Sequence, residues 1–418
     1  MNLKYTSISN LLLLPESYNI EEDEDVVQSI LKQHKVFNEL HKLEESIQTV
    51  LASIEEVGLI VAKEWFKRGL KQKHVQMRKI ATEINQYISG RSSDHFEPSR
   101  LHEFWRRNHL PIANSFDSLK RYRNLHPTYQ LMMSYKNNQN YLKMWEQSLL
   151  EKGAVVDQGI LLKGTWKSFS SYTGRITARN LPLTSMPSVM RDYIVPSTGQ
   201  QIVSLDLDNA ELRFLAHYAE CGSLKEQFNR GIDVHAETAK LLRRNTAEHE
   251  VNDEQARKLA KQFTYSLLYG AGRQTMTQIM EKTIHSITNA DVVALIDEFY
   301  QLYPELLAFL EERADSSQLL TPFGEIEPVA KFTRTQKKNY ALQAGVSVAI
   351  KLLMTTLAEH DIKIIHVLHD EVWILLKKEM NLDNLIKQVE EAFKKKMKKI
   401  FPELPTNGIL TKEKLGGN

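Results

Sequence analysis

"IKIIHVLHDEVWILL", residues 362–376, is two apolar, β-branched runs set around His369-Asp370-Glu371. That pattern predicts two strands joined by a tight hairpin with acids at its bend. A second such run, "QQIVSLDLD" at 200–208, reaches Asp206 and turns into a helix that carries Glu211. The residues between, from about 220 to 330, read as helical, so the chain is α+β, with one sheet split by an inserted helical unit. Taken singly, each acid reads as a turn or cap residue. Taken together, acids at strand ends carry a burial cost unless something positive meets them. Two Mg²⁺ ions about 3.5–4 Å apart, held by carboxylates and substrate phosphates, would be such a partner.

The inserted block contains "NDEQARKLAKQFTYSLLYGAG", residues 252–272. Arg257, Lys261, Tyr265 and Tyr269 recur every four residues, which on a helix sets them along one stripe. Ala256, Ala260, Phe263 and Leu267 form the opposite, apolar stripe. Asn252 or Asp253 is the candidate N-cap, and Gly270 with Gly272 supplies the stop. The plain reading is an exposed basic face with two half-buried tyrosines. The sharper reading is a face that grips an anion, since no acid interleaves the two cations.

Composition excludes several classes. The 418 residues suffice for two or three packed units, and 42% hydrophobic with 25% charged residues is ordinary for a globular chain. With 54 Lys+Arg against 52 Asp+Glu, a nucleic-acid surface must be a local patch. Cys221 is the single cysteine, so neither an internal disulfide nor a zinc cluster is expected. The leucine run near the start is cut by Pro15, shorter than a signal-peptide core, and no run approaches a membrane span. A cytoplasmic chain without membrane partners is expected. Residues 1–45 read as a strap with one helix, and the run "EEDED" at 21–25 as a solvated face, as does "KKKMKK" at 394–399. Helical periodicity from 46 to 90 breaks at Gly58. Another helical stretch runs from about 116 to 150, with a basic, aromatic tip between them.

At this point the chain resembles the family A DNA polymerases, of the bacterial polymerase I type. "DLDNAELRFLAH" is similar to their first acidic motif, "RKLAKQFTYSLLYG" to their fingers helix, and "LHDEV" to their His-Asp-Glu hairpin. "YTGRITARNLPLTSMP" resembles their Thr-Gly-Arg segment, "RGIDVH" their Asp-x-His segment, and "NYALQAGVSVAIKLLM" their Asn-x3-Gln-x-Gly helix. The six motifs stand in family order over about 45–418. Four residues at three places depart from the pattern. Thr184-Ser185 replaces the usual Gln-Asn, Val367 replaces a Gln before the hairpin, and Arg334 sits one place off a usual arginine. These put primer-end contacts in doubt and leave the metal and triphosphate residues intact.

The resemblance implies a right-hand polymerase fold with an antiparallel palm sheet, helical fingers and a helical thumb. Its expected layout is a strap at 1–45, thumb at 46–154, palm at 155–219 and 336–418, and fingers at 220–335. It implies primer-extending, template-directed DNA synthesis on primer-template DNA and deoxynucleoside triphosphates. Asp206 and Asp370 would hold two Mg²⁺ ions, with Mn²⁺ as an alternative, and Glu371 would be an accessory acid. Arg257, Lys261 and His235 would bind the triphosphate, Lys261 also protonating pyrophosphate. Tyr265 would meet the nucleotide, Tyr269 the template side of the new pair, and Glu211 would gate the sugar's C2′ position. Arg175 and Gln343 would read the minor groove, with Asn339 and His369 beside the primer-template. The first 45 residues are too few for nuclease domains, so proofreading is expected to be absent, or supplied by a separate exonuclease. A primase or a processivity factor would be a further partner, and the chain is expected to be a monomer in a bacterial or phage-infected cell. Two rivals stand: a phage-type RNA polymerase, which has no carboxylate gate at Glu211, and an inactive scaffold, which would have lost Asp206, Asp370 or Lys261.

Overall fold

The computed structural model describes residues 34–147, 151–186, 188–244, 252–284, 286–326 and 331–416. The "EEDED" run and the strap through residue 33 lie outside the described residues. From residue 34 the strap enters a helix, His34–Val57. The chain divides into two compact units. One takes the N-terminal stretch to Ile54 together with Trp166–Thr177 and Val203–Glu413. The other takes Glu55–Thr165, Ala178–Ile202 and the residues from Lys414.

A four-stranded sheet, in the larger unit but for Gln200–Ile202 and the residues from Lys414, comprises β1 (Gln200–Leu207), β2 (Lys363–Leu368), β3 (Glu371–Lys377) and β4 (Leu410–Leu415), in the order β4-β1-β3-β2. β2 and β3 form the antiparallel hairpin read from the sequence, with Leu368 opposite Glu371 and only His369 and Asp370 in the turn. His369 has φ +53°, the left-handed conformation that so short a hairpin demands. Between β1 and β2 lie the helices of the insertion, among them α1 (Ala210–Tyr218), α2 (Val234–Arg244) and α3 (Asp253–Leu268), and then α4 (Arg334–Glu359). α5 (Leu382–Ile400) follows β3.

α3 begins with a capping box: Asn252 accepts from the Gln255 amide at 2.9 Å, and Gln255 accepts from the Asn252 amide at 3.1 Å. Ala256, Leu259, Ala260, Phe263 and Leu268 are its buried apolar residues. Leu267, read as part of that stripe, is only half-buried, whereas Leu268 beside it is buried.

The absence of a span-like run needs correction. An 18-residue window of α4 has mean hydropathy 1.5, apolar enough to cross a membrane by composition. It is 83% buried within the fold, which makes α4 a core helix. Gly345 lets α4 close on α1: a Cβ there would stand 2.6 Å from the Phe214 ring. Lys351, fully buried on α4, pairs with buried Glu44 of the His34–Val57 helix.

In the smaller unit, Leu59–Val61 and Ala154–Val156 flank Gly159–Leu162 in an antiparallel sheet. The stretch at 116–150 is two α-helices, Phe116–Tyr122 and Pro127–Leu142, rather than one. Pro127 has no N–H to continue a helix and holds His126 extended, at φ −159° and ψ 143°. The region read as a tip packs as the helix Pro98–Arg107, with Trp105 stacked on Tyr129 at 4.5 Å between ring centroids and donating to Thr128 at 2.8 Å.

Candidate active site

Asp206 lies one residue before the end of β1, and Asp370 in the turn that opens β3, the strand beside it. The Leu207 amide donates to the Asp370 carbonyl at 3.0 Å, which seats one acid against the other. Burial, and then the charges of Asp370 and Glu371, push the pKa of Asp206 up to about 7, against an opposing pull from Lys261. Glu371 is buried and turned to the sheet, where it accepts from the Ser204 hydroxyl at 2.7 Å. Its carboxylate is therefore engaged in the fold. Among the described residues no three His, Cys, Asp or Glu side chains converge as a ready metal cage. The pair of acids is one that a cation and further ligands would complete.

α3 brings the second group. Lys261 is exposed, with its ammonium 5.9 Å from the Tyr265 ring centre. Arg257 is held by Asp233, Nε to Oδ2 at 2.5 Å. Asp233 also caps the start of α2, accepting from the amides of His235 and Ala236 at 3.0 and 3.1 Å. His235 does not stand out among the cations. It is buried, meets Asn209 Oδ1 through Nε2 at 2.7 Å, and has its pKa pushed down to about 4 by burial and by Lys261. At neutral pH it is uncharged.

A third group gathers at Glu211 in the first turn of α1. Its carboxylate accepts from the Tyr269 hydroxyl and lies 3.6 Å from the Arg175 guanidinium. Tyr269 is the C-cap of α3, and its hydroxyl also meets Gln343 of α4. Arg175 is presented by a tight turn in which Gly174 adopts φ +77° and its carbonyl accepts from Ser347 at 2.6 Å. A Cβ on Gly174 would crowd both Phe169 and Ser347, so glycine suits the turn twice over. Glu211, Tyr269, Arg175 and Gln343, from four places in the sequence, are thus one cluster. Asn339 is buried on α4, its Oδ1 without a partner, and His369 is exposed in the hairpin turn. Of the departing positions, Val367 is buried in β2 and Arg334 pairs with Glu311 at 3.0 Å.

Sequence reasoning missed Asp233, although it stands inside "RGIDVH", and missed the set Asp208, Asn209 and Arg213. Arg213 is almost fully buried and donates to Asp208 and to three backbone carbonyls near the chain's end. A buried arginine one turn beyond the strand end was the available signal, but its partners, some 190 residues on, leave no local pattern.

The chain is similar to known proteins. The model of "DNA polymerase family A" matches residues 96–406. DNA polymerase I of Helicobacter pylori is 22% identical over 402 residues, covering 89% of this chain and 43% of that protein. DNA polymerase I of Borreliella burgdorferi is 24% identical over 337 residues, with 74% and 36% covered. The DNA polymerase of Mycobacterium phage D29 is 27% identical over 179 residues, with 41% and 28% covered. The chain therefore spans less than half the length of these relatives. Among solved structures, the "POL domain of Pol1 from M. smegmatis complex with DNA primer-template and dNTP" superposes with a TM-score of 0.71 at 18% identity, covering 94% of this chain and 72% of that one. The α+β fold is that of a polymerase domain. Every site residue described above falls inside the segment that the family model matches, and the chain belongs to DNA polymerase family A.

Proposed function

We propose that the chain extends a primer 3′ end with deoxynucleotides on a DNA template. The observation that carries the reading is the acid pair Asp206 and Asp370, on neighbouring elements of one sheet, with Lys261 acting on it from α3. Asp206, raised to about 7, is an acid whose charge lacks compensation, and divalent cations at Asp206 and Asp370 would supply it. Mg²⁺ or Mn²⁺ bound there would make the primer hydroxyl acidic and spread the charge of the departing pyrophosphate. The chain's own residues do the rest. Lys261 neutralises the triphosphate and protonates the pyrophosphate, and Arg257 exchanges Asp233 for a phosphate. Glu211 fills the space that a ribose 2′-hydroxyl would need, while Arg175 and Gln343 test pair geometry through minor-groove acceptors.

In this reading residues 46–154 act as thumb, 155–219 and 336–418 as palm, and 220–335 as fingers, in a bacterial or phage-infected cytoplasm. Primer-template DNA and a dNTP, present in the Mycobacterium structure, are the partners assigned. The test is extension of a labelled primer on DNA and RNA templates, with deoxy- and ribonucleotides supplied separately. Asp206→Asn and Asp370→Asn should each abolish extension and leave primer-template binding intact. Near-normal extension by either variant would sink the assignment.

A further inference from the structure

The turn from β1 to α1 is held by a hydrogen-bond chain that the proposed reaction does not use. Arg213 donates through Nε to the Asp208 carbonyl at 2.7 Å and through Nη2 to Asp208 Oδ2 at 3.1 Å. It also donates to the carbonyls of Pro405 and Asn407, each at 2.9 Å, and of Gly408 at 3.3 Å, with its plane over the Phe228 ring. Asp208, so fixed, accepts Asn209 Nδ2 on both oxygens, at 3.0 and 3.1 Å. Asn209 is left-handed, at φ 50° and ψ 36°.

Donor and acceptor logic then runs one way. A carboxylate only accepts, so Asp208 dictates which end of the Asn209 amide faces it, and Oδ1 is turned to His235 Nε2 at 2.7 Å. A carbonyl oxygen also only accepts, so Nε2 must carry the proton. A neutral imidazole has one, and Nδ1 is left as a bare acceptor, buried and without a partner. The charged groups acting on this ring are Lys261, Arg257, Asp233 and Asp208.

We infer that Asp208 is a positioning residue: through Asn209 it fixes His235 in the Nε2–H form, with Nδ1 kept as an acceptor beside the triphosphate cations. His235 then supports the nucleotide site by accepting from a donor such as the Lys261 ammonium, and has no proton to offer a phosphate. The kinetic part rests on the polymerase reading; the tautomer part does not.

The test is ¹⁵N–¹H correlation spectroscopy of histidine-labelled protein at pH 7.5, with the His235 signal identified by its loss in His235→Gln. The native protein and Asp208→Asn, whose amide oxygen can still accept from Asn209 and Arg213, should show the Nε2–H pattern. Asp208→Ala should move it toward a mixture of tautomers. Should that variant fail to fold, Asn209→Gly removes the acceptor and keeps the left-handed turn. In single-nucleotide addition Asp208→Ala should raise KM for the incoming nucleotide about tenfold, with kcat changed less than about threefold, and Asp208→Asn should restore KM. An unchanged Nε2–H pattern in Asp208→Ala, or in Asn209→Gly where that variant stands in, overturns the inference even if no extension is ever detected. A changed tautomer with native KM overturns the link to the nucleotide.

Discussion

Asp206 carries its charge where the fold disfavours it, and this has a measurable cost. Its folded pKa of about 7 stands above the ordinary 3.8, so the folded state binds more protons between those values. The stability contribution of this one group therefore falls as pH rises from about 4 to 7. In metal-free protein at pH 8, Asp206→Asn should be more stable than native by about 1–2 kcal/mol, the full shift being discounted for partial exposure. Urea denaturation in EDTA checks this: the gap should vanish near pH 4, and Mg²⁺ should narrow it at pH 8. A less stable Asn variant at pH 8 would mean that the acid is already compensated. Glu211 gives a second prediction. Its carboxylate meets Tyr269 and Arg175, so Glu211→Ala should both loosen that cluster and open room for a 2′-hydroxyl. Ribonucleotide incorporation should rise, and unchanged sugar discrimination in a folded variant would reduce Glu211 to a helix-pairing residue. Tyr265 is half-buried between His235 and Lys261, not sealed in the core. A dideoxynucleotide lacks the 3′-hydroxyl that can satisfy a phosphate oxygen, and the phenol can replace it in a hydrogen bond worth about 1.5–3 kcal/mol. Tyr265→Phe should therefore resist chain termination by one to two orders of magnitude relative to native, about what that energy allows. Competition of dideoxy- against deoxynucleotide in single additions decides it.

Secondary elements with their own chemistry were legible and those defined by neighbours were not. The 362–376 hairpin could be read because its apolar runs, its two-residue turn and its acids all lie within fifteen residues. α3 could be read because the capping pair and the four-residue repeat are local too. Leu59–Val61 could not, since three residues between helical stretches have too little alternation to signal a strand. Nor could the Asp233 contact to Arg257, which depends on how α2 lies against α3. Contact between α1 and α4 carries its own prediction. With a Cβ on Gly345 placed 2.6 Å from the Phe214 ring, Gly345→Ala must push the helices apart or turn the ring. The loss should be about 1–3 kcal/mol despite alanine's better helix propensity, visible as a lower melting temperature. A Phe214→Leu background, with room restored, should recover part of it.

For the whole molecule, a formal charge of only +2 means that affinity for a polyanion must come from grouped cations. Primer-template binding should fall linearly on a logarithmic salt axis, by a slope of about 0.9 for each phosphate neutralised. Six to ten such contacts would cost about 10³–10⁵ in affinity between 50 and 200 mM salt, whereas a flat response in a filter-binding or anisotropy titration would exclude an electrostatic footprint of that size. Motif order made the family readable from the sequence, but the division into two interleaved units was not. The chain crosses between them repeatedly, and no composition shift marks the crossings. The buried Lys351–Glu44 pair shows what such interleaving entails for a chain made from its N-terminus onward. Glu44 leaves the ribosome 307 residues ahead of the lysine that neutralises it, so at the 5–20 residues per second of translation its helix waits about 15–60 s without its seat. Through that interval the Glu44 carboxylate has no lysine to meet, and burying it unpaired would be costly. That carboxylate must therefore stay in water until α4 emerges, and a slower ribosome lengthens the wait in proportion.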